Sequence, residues 1–362
     1  MMSRRYISSF WPESDGSTLT LDFTTGVLDS RLTFTRASTT ATYINSSGYV
    51  TTAGTDVPRF DHDPTTLAPR GLLIEAAATN LLNWSASFAT SGGTNNNWAD
   101  TSITRTTGQA DPANGTTAIR FTASAGNATV ISSAAIGTSA ARTFSVWLRR
   151  VTGTGNIQYT QNNGTNWTTQ AITATWTRYT FTHTVDHRVG IRIVTSGDAI
   201  EMWGAQLETG SGASSYIPTG ASTATRNPDN CELLNLTTMG FNASAGTIYV
   251  DTGTRIGTGG RSYSFMPTSG INDQIFEGNG FLLNVYSSGT FVAQIGTGTA
   301  SAAKIAAAYA VNDYAVSVNG GAPSTDTAGA LPTTIAKLTI GARDSSSVTQ
   351  MNGCIRVFKY WP

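Results

Sequence analysis

The stretch FSVWLRR, residues 144–150, alternates strictly in side-chain character. Phe144, Val146 and Leu148 fall on one side of an extended chain, and Ser145, Trp147 and Arg149 on the other. TWTRYTFT, residues 175–182, sets Trp176, Arg178 and Thr180 against Tyr179 and Phe181. GIRIV (190–194) and AIEMWGAQLE (199–208) follow, parted by the turn tripeptide Ser196-Gly197-Asp198. Period-two runs with turn residues between them predict antiparallel sheet. Several runs in succession predict a sandwich or jelly roll, because each sheet needs a second sheet over its apolar face.

The composition agrees. The chain has 362 residues, long enough for two or three domains. Only 12% are charged, the formal net charge is zero, and 37 are glycine. Low charge with abundant Thr and Gly suits short strands and tight turns. Hydrophobic residues at 39% can build a core, which excludes wholesale disorder. Balanced charge gives no electrostatic case for binding nucleic acid or an anionic membrane. No apolar run approaches the ~20 residues of a membrane span. MMSRRYISSFWPESDG at the N-terminus lacks an apolar h-region and does not read as a signal peptide.

Four segments are expected. Residues 1–82 read as a β-rich N-terminal docking region without a large core of its own. In it Arg4, Arg5, Tyr6, Phe10 and Trp11 form a candidate docking peptide, with a terminal strand on its own domain as the alternative. Asn45-Ser46-Ser47-Gly48 predicts a hairpin turn between 41–44 and 49–51. Residues 83–218 form a central module, and 219–226 a small, polar linker with Pro218 and Pro228 around it. Residues 227–362 form a second β module. Within that module SAAKIAAAYAV, residues 301–311, is rich in alanine, which favours helix. The apolar run 305–309 leading into the Asn312-Asp313 turn favours a strand, and a strand is expected.

The central runs also carry a resemblance. FSVWLRR, WTRYTFT and the closing phrase GDAIEMWGAQLETGSGASSYIPT (197–219) look like the carbohydrate-binding-type jelly roll of tailed-phage fibre and head-spike proteins. LTFTRAST (32–39), VPRFDHDP (57–64) and GLLIEAAATNLL (71–82) extend the likeness upstream. KIAAAYAVNDYAVSVNGG (304–321) is similar to the concanavalin-like lectin module that often follows in such proteins. The resemblance implies a virion structural protein, all-β, with two sandwich modules. It implies a homotrimer made in the host cytoplasm and displayed on the virion surface. Its implied partners are other virion proteins and host-surface polysaccharide. It also implies room for a structural calcium, to which Asn83, Asp198, Glu201 and Glu208 could offer oxygens; no tight acidic motif gathers them. No other cofactor is expected.

Motifs for catalysis are few. The three histidines, His62, His183 and His187, belong to no Gly-x-Ser-x-Gly or His-Glu-x-x-His pattern. Asp61-His62-Asp63-Pro64 has the look of a metal cluster, but Asp before Pro makes turns. Lectin-like folds also house glycosidases, which need two carboxylates facing one bond. Asp273 and Glu277 offer no such strand pattern, and no enzyme activity is expected. A capsular depolymerase and a purely structural connector are the alternative functions. The two cysteines, Cys231 and Cys354, are expected reduced and buried.

Aromatic residues beside amides are the binding candidates. Sugar rings have apolar faces that stack on indole and phenol rings, while amides and Arg bond the hydroxyls. GNIQYTQNNGTNWTT (155–169) carries both ingredients. The expected glycan site is therefore Tyr159, Asn162, Trp167 and Gln170 with Arg149 as a secondary contact. Trp98 also flanks a polar segment. Trp147, Trp176 and Trp203 are expected in the sandwich core.

Overall fold

The structure, a computed structural model, describes residues 15–88, 98–133, 139–185, 188–256, 260–278, 280–296, 303–344 and 349–362. The docking residues Arg4, Arg5, Tyr6, Phe10 and Trp11, and His187, lie outside them.

The alternation at 144–150 is realised in the Ala140–Thr152 strand. Phe144, Val146 and Leu148 enter the central core with the inner residues of a facing sheet, among them Val130, Ile157, Ile191 and Ile193. Among the described residues each of these two sheets has five strands. One runs Thr177–Val185, Ala140–Thr152, Ala199–Thr209, Ala118–Ala123, Ile103–Gln109. The other runs Thr168–Gln170, Ile157–Thr160, Gly190–Ile193, Ala128–Ser132, Trp98–Thr101. All pairings are antiparallel.

A second sandwich packs an eight-stranded sheet on a seven-stranded one, counted over the described residues. Ile248, Val250, Phe358 and Tyr360 meet Phe265, Ile275, Leu338 and Ile340 in its core. The alanine-rich segment is the strand Lys304–Ala310, with Ile305, Ala307 and Tyr309 buried and Lys304 and Ala306 exposed. Helix propensity loses here because strands pair on both sides of it, Ala245–Arg255 and Asp313–Val318. The fold is all-β: the described residues include no α-helix, only the 3-10 turns Phe23–Thr25 and Leu236–Met239. No helix among them is long and apolar enough to cross a membrane.

The order of segments along the chain differs from their order in space. Leu19–Asp22 and Pro69–Ile74 pair one after the other along the same edge of the last strand, Gly353–Trp361, in the eight-stranded sheet, with Ala245–Arg255 on its other edge. Thr33–Thr35 pairs with Asn230–Leu233 at the edge of the seven-stranded sheet. The strands Leu19–Asp22, Thr33–Thr35, Phe60–His62 and Pro69–Ile74 therefore belong with residues 230–361, where the sequence reading sets 1–82 apart from 227–362. The reason is length: strands of three or four residues cannot close a sheet, and their partners lie hundreds of residues on. Residues 219–226 likewise do not read out as a simple linker. Ala224–Arg226 pairs with Ala78–Asn80, and Arg226 is fully buried. The chain leaves the large sandwich near Ala78, builds the central module, and returns beside its point of departure.

Candidate functional site

The outer face of the Ala140–Thr152 sheet is where the two sandwiches meet. Within Ala140–Thr152, Ser145, Trp147 and Arg149 point away from the central core. Trp147 sits against Trp203 and Tyr216, with ring centroids 5.3 and 5.7 Å away, in edge-to-face geometry with both. With Val50 and Ala118 they form a small separate core, joined by half-buried Ile44 and Trp176. Trp147 and Trp203 are thus buried as expected, but behind the sandwich rather than inside it. The Tyr216 hydroxyl bonds Ser85 Oγ at 2.6 Å, and burial pushes its pKa up. The Ala41–Ile44/Val50–Ala53 hairpin covers one edge of this face. Thr42 donates to the Tyr216 carbonyl (2.5 Å) and the Val50 amide to the Pro112 carbonyl (2.9 Å).

Below this layer lies a buried ionic network. Arg59 bonds Glu75 at 2.7 Å and also Asp229; Arg36 bonds Asp229 at 3.1 Å, and Arg226 lies 3.1 Å from Glu75. All five side chains are at most 1% exposed. Glu75 also accepts from the Ser215 amide and hydroxyl, both at 2.7 Å. Burial alone would raise the Glu75 pKa; Arg226 and Arg59 outweigh it and hold the carboxyl down to about 2. The network joins the end of Pro69–Ile74, the loop before Asn230–Leu233 and the Ser214-Ser215 turn. It therefore ties the large sandwich to the turn that follows Ala199–Thr209 of the central module.

Between them opens a cleft of about 880 Å³. One wall is the outer face of the central sheet, with Trp147, Trp176 and Arg178. The other is the outer face of the eight-stranded sheet, with Leu73, Cys354 and Arg356. Tyr43 and Tyr49 of the hairpin close one end, and Ser214 and Ser215 lie at the floor. Tyr49 is 39% exposed, and Tyr43 and Trp176 are half-buried. Three aromatic side chains are thus only partly covered, next to polar groups in a concave site, which is how small-molecule and sugar sites are built.

The carboxylates of the cleft are already engaged. Asp61 accepts from the Ile44 amide at 2.7 Å and from Arg70 at 3.3 Å. Burial pushes its pKa up, against that amide bond and the Arg70 charge. Asp111 accepts from the Ala113, Gly115 and Thr117 amides and the Thr117 hydroxyl. Asp63 ties down its own turn through the Thr65 and Thr66 amides, which lower its pKa. His62 Nδ1 lies 3.1 Å from the Phe60 carbonyl. The Asp61-His62-Asp63 stretch is a structural turn.

The site expected from sequence is not assembled in one place. Tyr159 shares a face with Ile157, turns inward, and stacks on Phe181 at 3.8 Å between centroids. Asn162 closes its own turn, accepting from the Thr160 hydroxyl and the Asn166 amide. Gln170 donates to the neighbouring Ala171 carbonyl. Trp167 lies beneath the Arg192 guanidinium, 4.5 Å from the ring centroid, on the far sheet. Arg149 is on the opposite side of the sandwich, over Trp176 at 4.9 Å and paired with Glu201. Trp98 is fully buried. Sequence reasoning missed Tyr43, Tyr49, Arg178 and Arg356; for Arg178 the signal was present, in its parity with Trp176.

The four candidate calcium donors are apart as well. Glu201 is held by Arg120 and Arg149, and Asp198 faces Arg150 and the Gly155 amide. Glu208 accepts from Gln206 and the Ser214 amide, and Asn83 donates to the Ala221 carbonyl. Among the described residues no three His, Cys, Asp or Glu side chains cluster for a metal. Cys231 faces the large core and Cys354 the cleft side of the other sheet; both are unpaired and buried, and burial raises both pKa values.

No family model and no curated protein matches the chain. Among solved structures it is similar to the N-terminal CBM22-1-CBM22-2 tandem domain from Paenibacillus barcinonensis Xyn10C. That likeness has 10% identity and a TM-score of 0.27, over 79% of this chain and 97% of that one. A TM-score this low leaves fold and function to be argued from the residues.

Proposed function

We propose that the protein binds glycan, and that the sugar sits in the cleft between the two sandwiches. The observation that supports this is the set of partly exposed rings, Tyr43, Tyr49 and Trp176, around a cavity of about 880 Å³. Such rings offer apolar faces for sugar rings, and the cleft walls supply hydrogen-bonding groups beside them. Binding without hydrolysis is the reading, since Asp61, Glu75 and Asp111 each already accept hydrogen bonds from this chain on both oxygens.

The setting we propose is the surface of a virion, as a tail-fibre or head-spike component. It rests on the sequence resemblance of residues 144–150, 175–182 and 197–219. The same resemblance underlies the proposed homotrimer and contacts with other virion proteins. A monomer by light scattering on particle-derived protein would count against the trimer.

Titration calorimetry of the full chain against a glycan panel tests the binding reading. Trp176→Ala and Tyr49→Ala should each weaken binding about two- to twelvefold, at roughly 0.5–1.5 kcal/mol per ring contact. Trp167→Ala, on the far sheet, should leave it unchanged. Shortened polysaccharide would point to a depolymerase instead. Absent binding with normal incorporation into particles would point to a connector.

A further inference from the structure

The charges lining the cleft are unequal in what they have left to offer. The three carboxylates are engaged as described, Glu75 and Asp111 deep in their own networks. The arginines differ. Arg178 donates to the Ser214 carbonyl at 2.6 Å and the Ser145 hydroxyl at 2.9 Å, both neutral oxygens. Its Nε is buried without a hydrogen-bond partner, and its guanidinium lies over Trp147, 4.5 Å from the centroid. The carboxylate nearby, Glu208, accepts from Gln206 and the Ser214 amide rather than from Arg178. On the facing wall, Arg356 has Asp251 only at 3.8 Å and is 44% exposed. Arg70 beside it is 42% exposed although it holds Asp61 and Asp63.

Two guanidinium groups, neither hydrogen-bonded to a carboxylate, therefore line one cleft from opposite walls. Between two protein walls a charge is screened less than at an open surface. The group that matches a guanidinium in shape and charge is a carboxylate. We propose that the glycan taken by this cleft is acidic, a uronic-acid-type saccharide. Its carboxylates meet Arg356 and Arg178 while its ring faces lie on Trp176 and Tyr49. This rests on the glycan-binding reading above and specifies its substrate class.

The test is calorimetry of the full chain with oligogalacturonate, oligoalginate and hyaluronan oligosaccharides. Each is measured beside its carboxyl-reduced, neutral counterpart, and neutral gluco-, galacto- and manno-oligosaccharides are included. The expected result is that an acidic member binds and its reduced form binds at least about tenfold more weakly. Arg356→Gln, exposed enough to leave folding intact, should abolish that preference without changing affinity for the reduced form. Raising salt from about 50 to 300 mM should shrink the preference in wild type and not in the variant. Equal binding of native and reduced forms, or binding of neutral sugars alone, overturns the acidic-ligand proposal and leaves glycan binding standing. A preference that survives in both Arg356→Gln and Arg178→Lys overturns the assignment to these arginines. No binding by any member overturns both readings.

Discussion

Glu75 shows what one carboxylate does when it is placed out of water. Two guanidinium groups and a serine hold it ionised, and its removal would leave Arg59 and Arg226 short of a partner. Breaking one member of a buried ion network typically costs about 3–5 kcal/mol, because the remaining charge is stranded. Glu75→Gln should therefore lower Tm markedly at pH 7. The pH dependence has a defined sign. The Glu75 pKa in the fold is below its ordinary value of 4.5, at about 2, so its stabilisation is present above 4.5 and lost as pH falls towards 2. Denaturant midpoints measured at steps across that interval should fall in wild type more steeply than in Glu75→Gln. Gly71 is a different kind of constraint. Its φ is +95°, and a Cβ there would lie 2.1 Å from the Ile355 carbonyl oxygen. Gly71→Ala should destabilise by at least 1–3 kcal/mol, roughly the cost of a strained backbone, read as a shift in urea midpoint.

At the scale of elements, the short N-terminal strand is the sharpest case. Leu19, Leu21 and Phe23 are all at most 1% exposed, packed into the large core beside Gly353–Trp361. Removing residues 1–26 should cost several kcal/mol, at about 1.5–3 per buried side chain. Amide exchange should rise in residues 353–361 and stay unchanged in 140–152, which belongs to the other core. These elements also show what the sequence could disclose. The strands of 118–209 were legible because their alternation is strong and most of their partners lie nearby. Leu19–Asp22 alternates too, yet nothing local says that it pairs with the far end of the chain. Alternation tells which residues share a face, not which face is covered. Tyr159 could have been placed by its parity with apolar Ile157. Trp147 could not, because the layer that buries it comes from Tyr216, Val50 and the hairpin, brought together by topology. The cleft was illegible for the same reason, since its walls come from segments far apart in the chain.

At the scale of the whole molecule, the buried network and the Trp147–Trp203–Tyr216 layer bind the two sandwiches into one unit. The full chain should unfold in a single calorimetric transition, with calorimetric and van't Hoff enthalpies equal. Residues 83–218 expressed alone would lose Val50 and Ile44 from the Trp147–Trp203–Tyr216 layer and leave Ser214 and Ser215 without Glu75 and Arg226. That fragment should bind a hydrophobic dye and melt about 7 °C lower, on the order of 2 kcal/mol for a domain of this size. Two separate transitions in the intact chain would show instead that the seam is weak.

The pairing of Leu19–Asp22 with Gly353–Trp361 sets a schedule for synthesis. Thr18 and Tyr360, which touch, are 342 residues apart. At about 5–20 residues per second, the first strand waits roughly 17–70 seconds for its partner to leave the ribosome. Most of the central module emerges well before then and can condense from contacts of its own. The opening segment meanwhile stays exposed, with Leu19, Leu21 and Phe23 uncovered. A chaperone that holds this nascent segment, or a slowed codon near the end of the message, would change the yield of native protein without altering one contact in its final form.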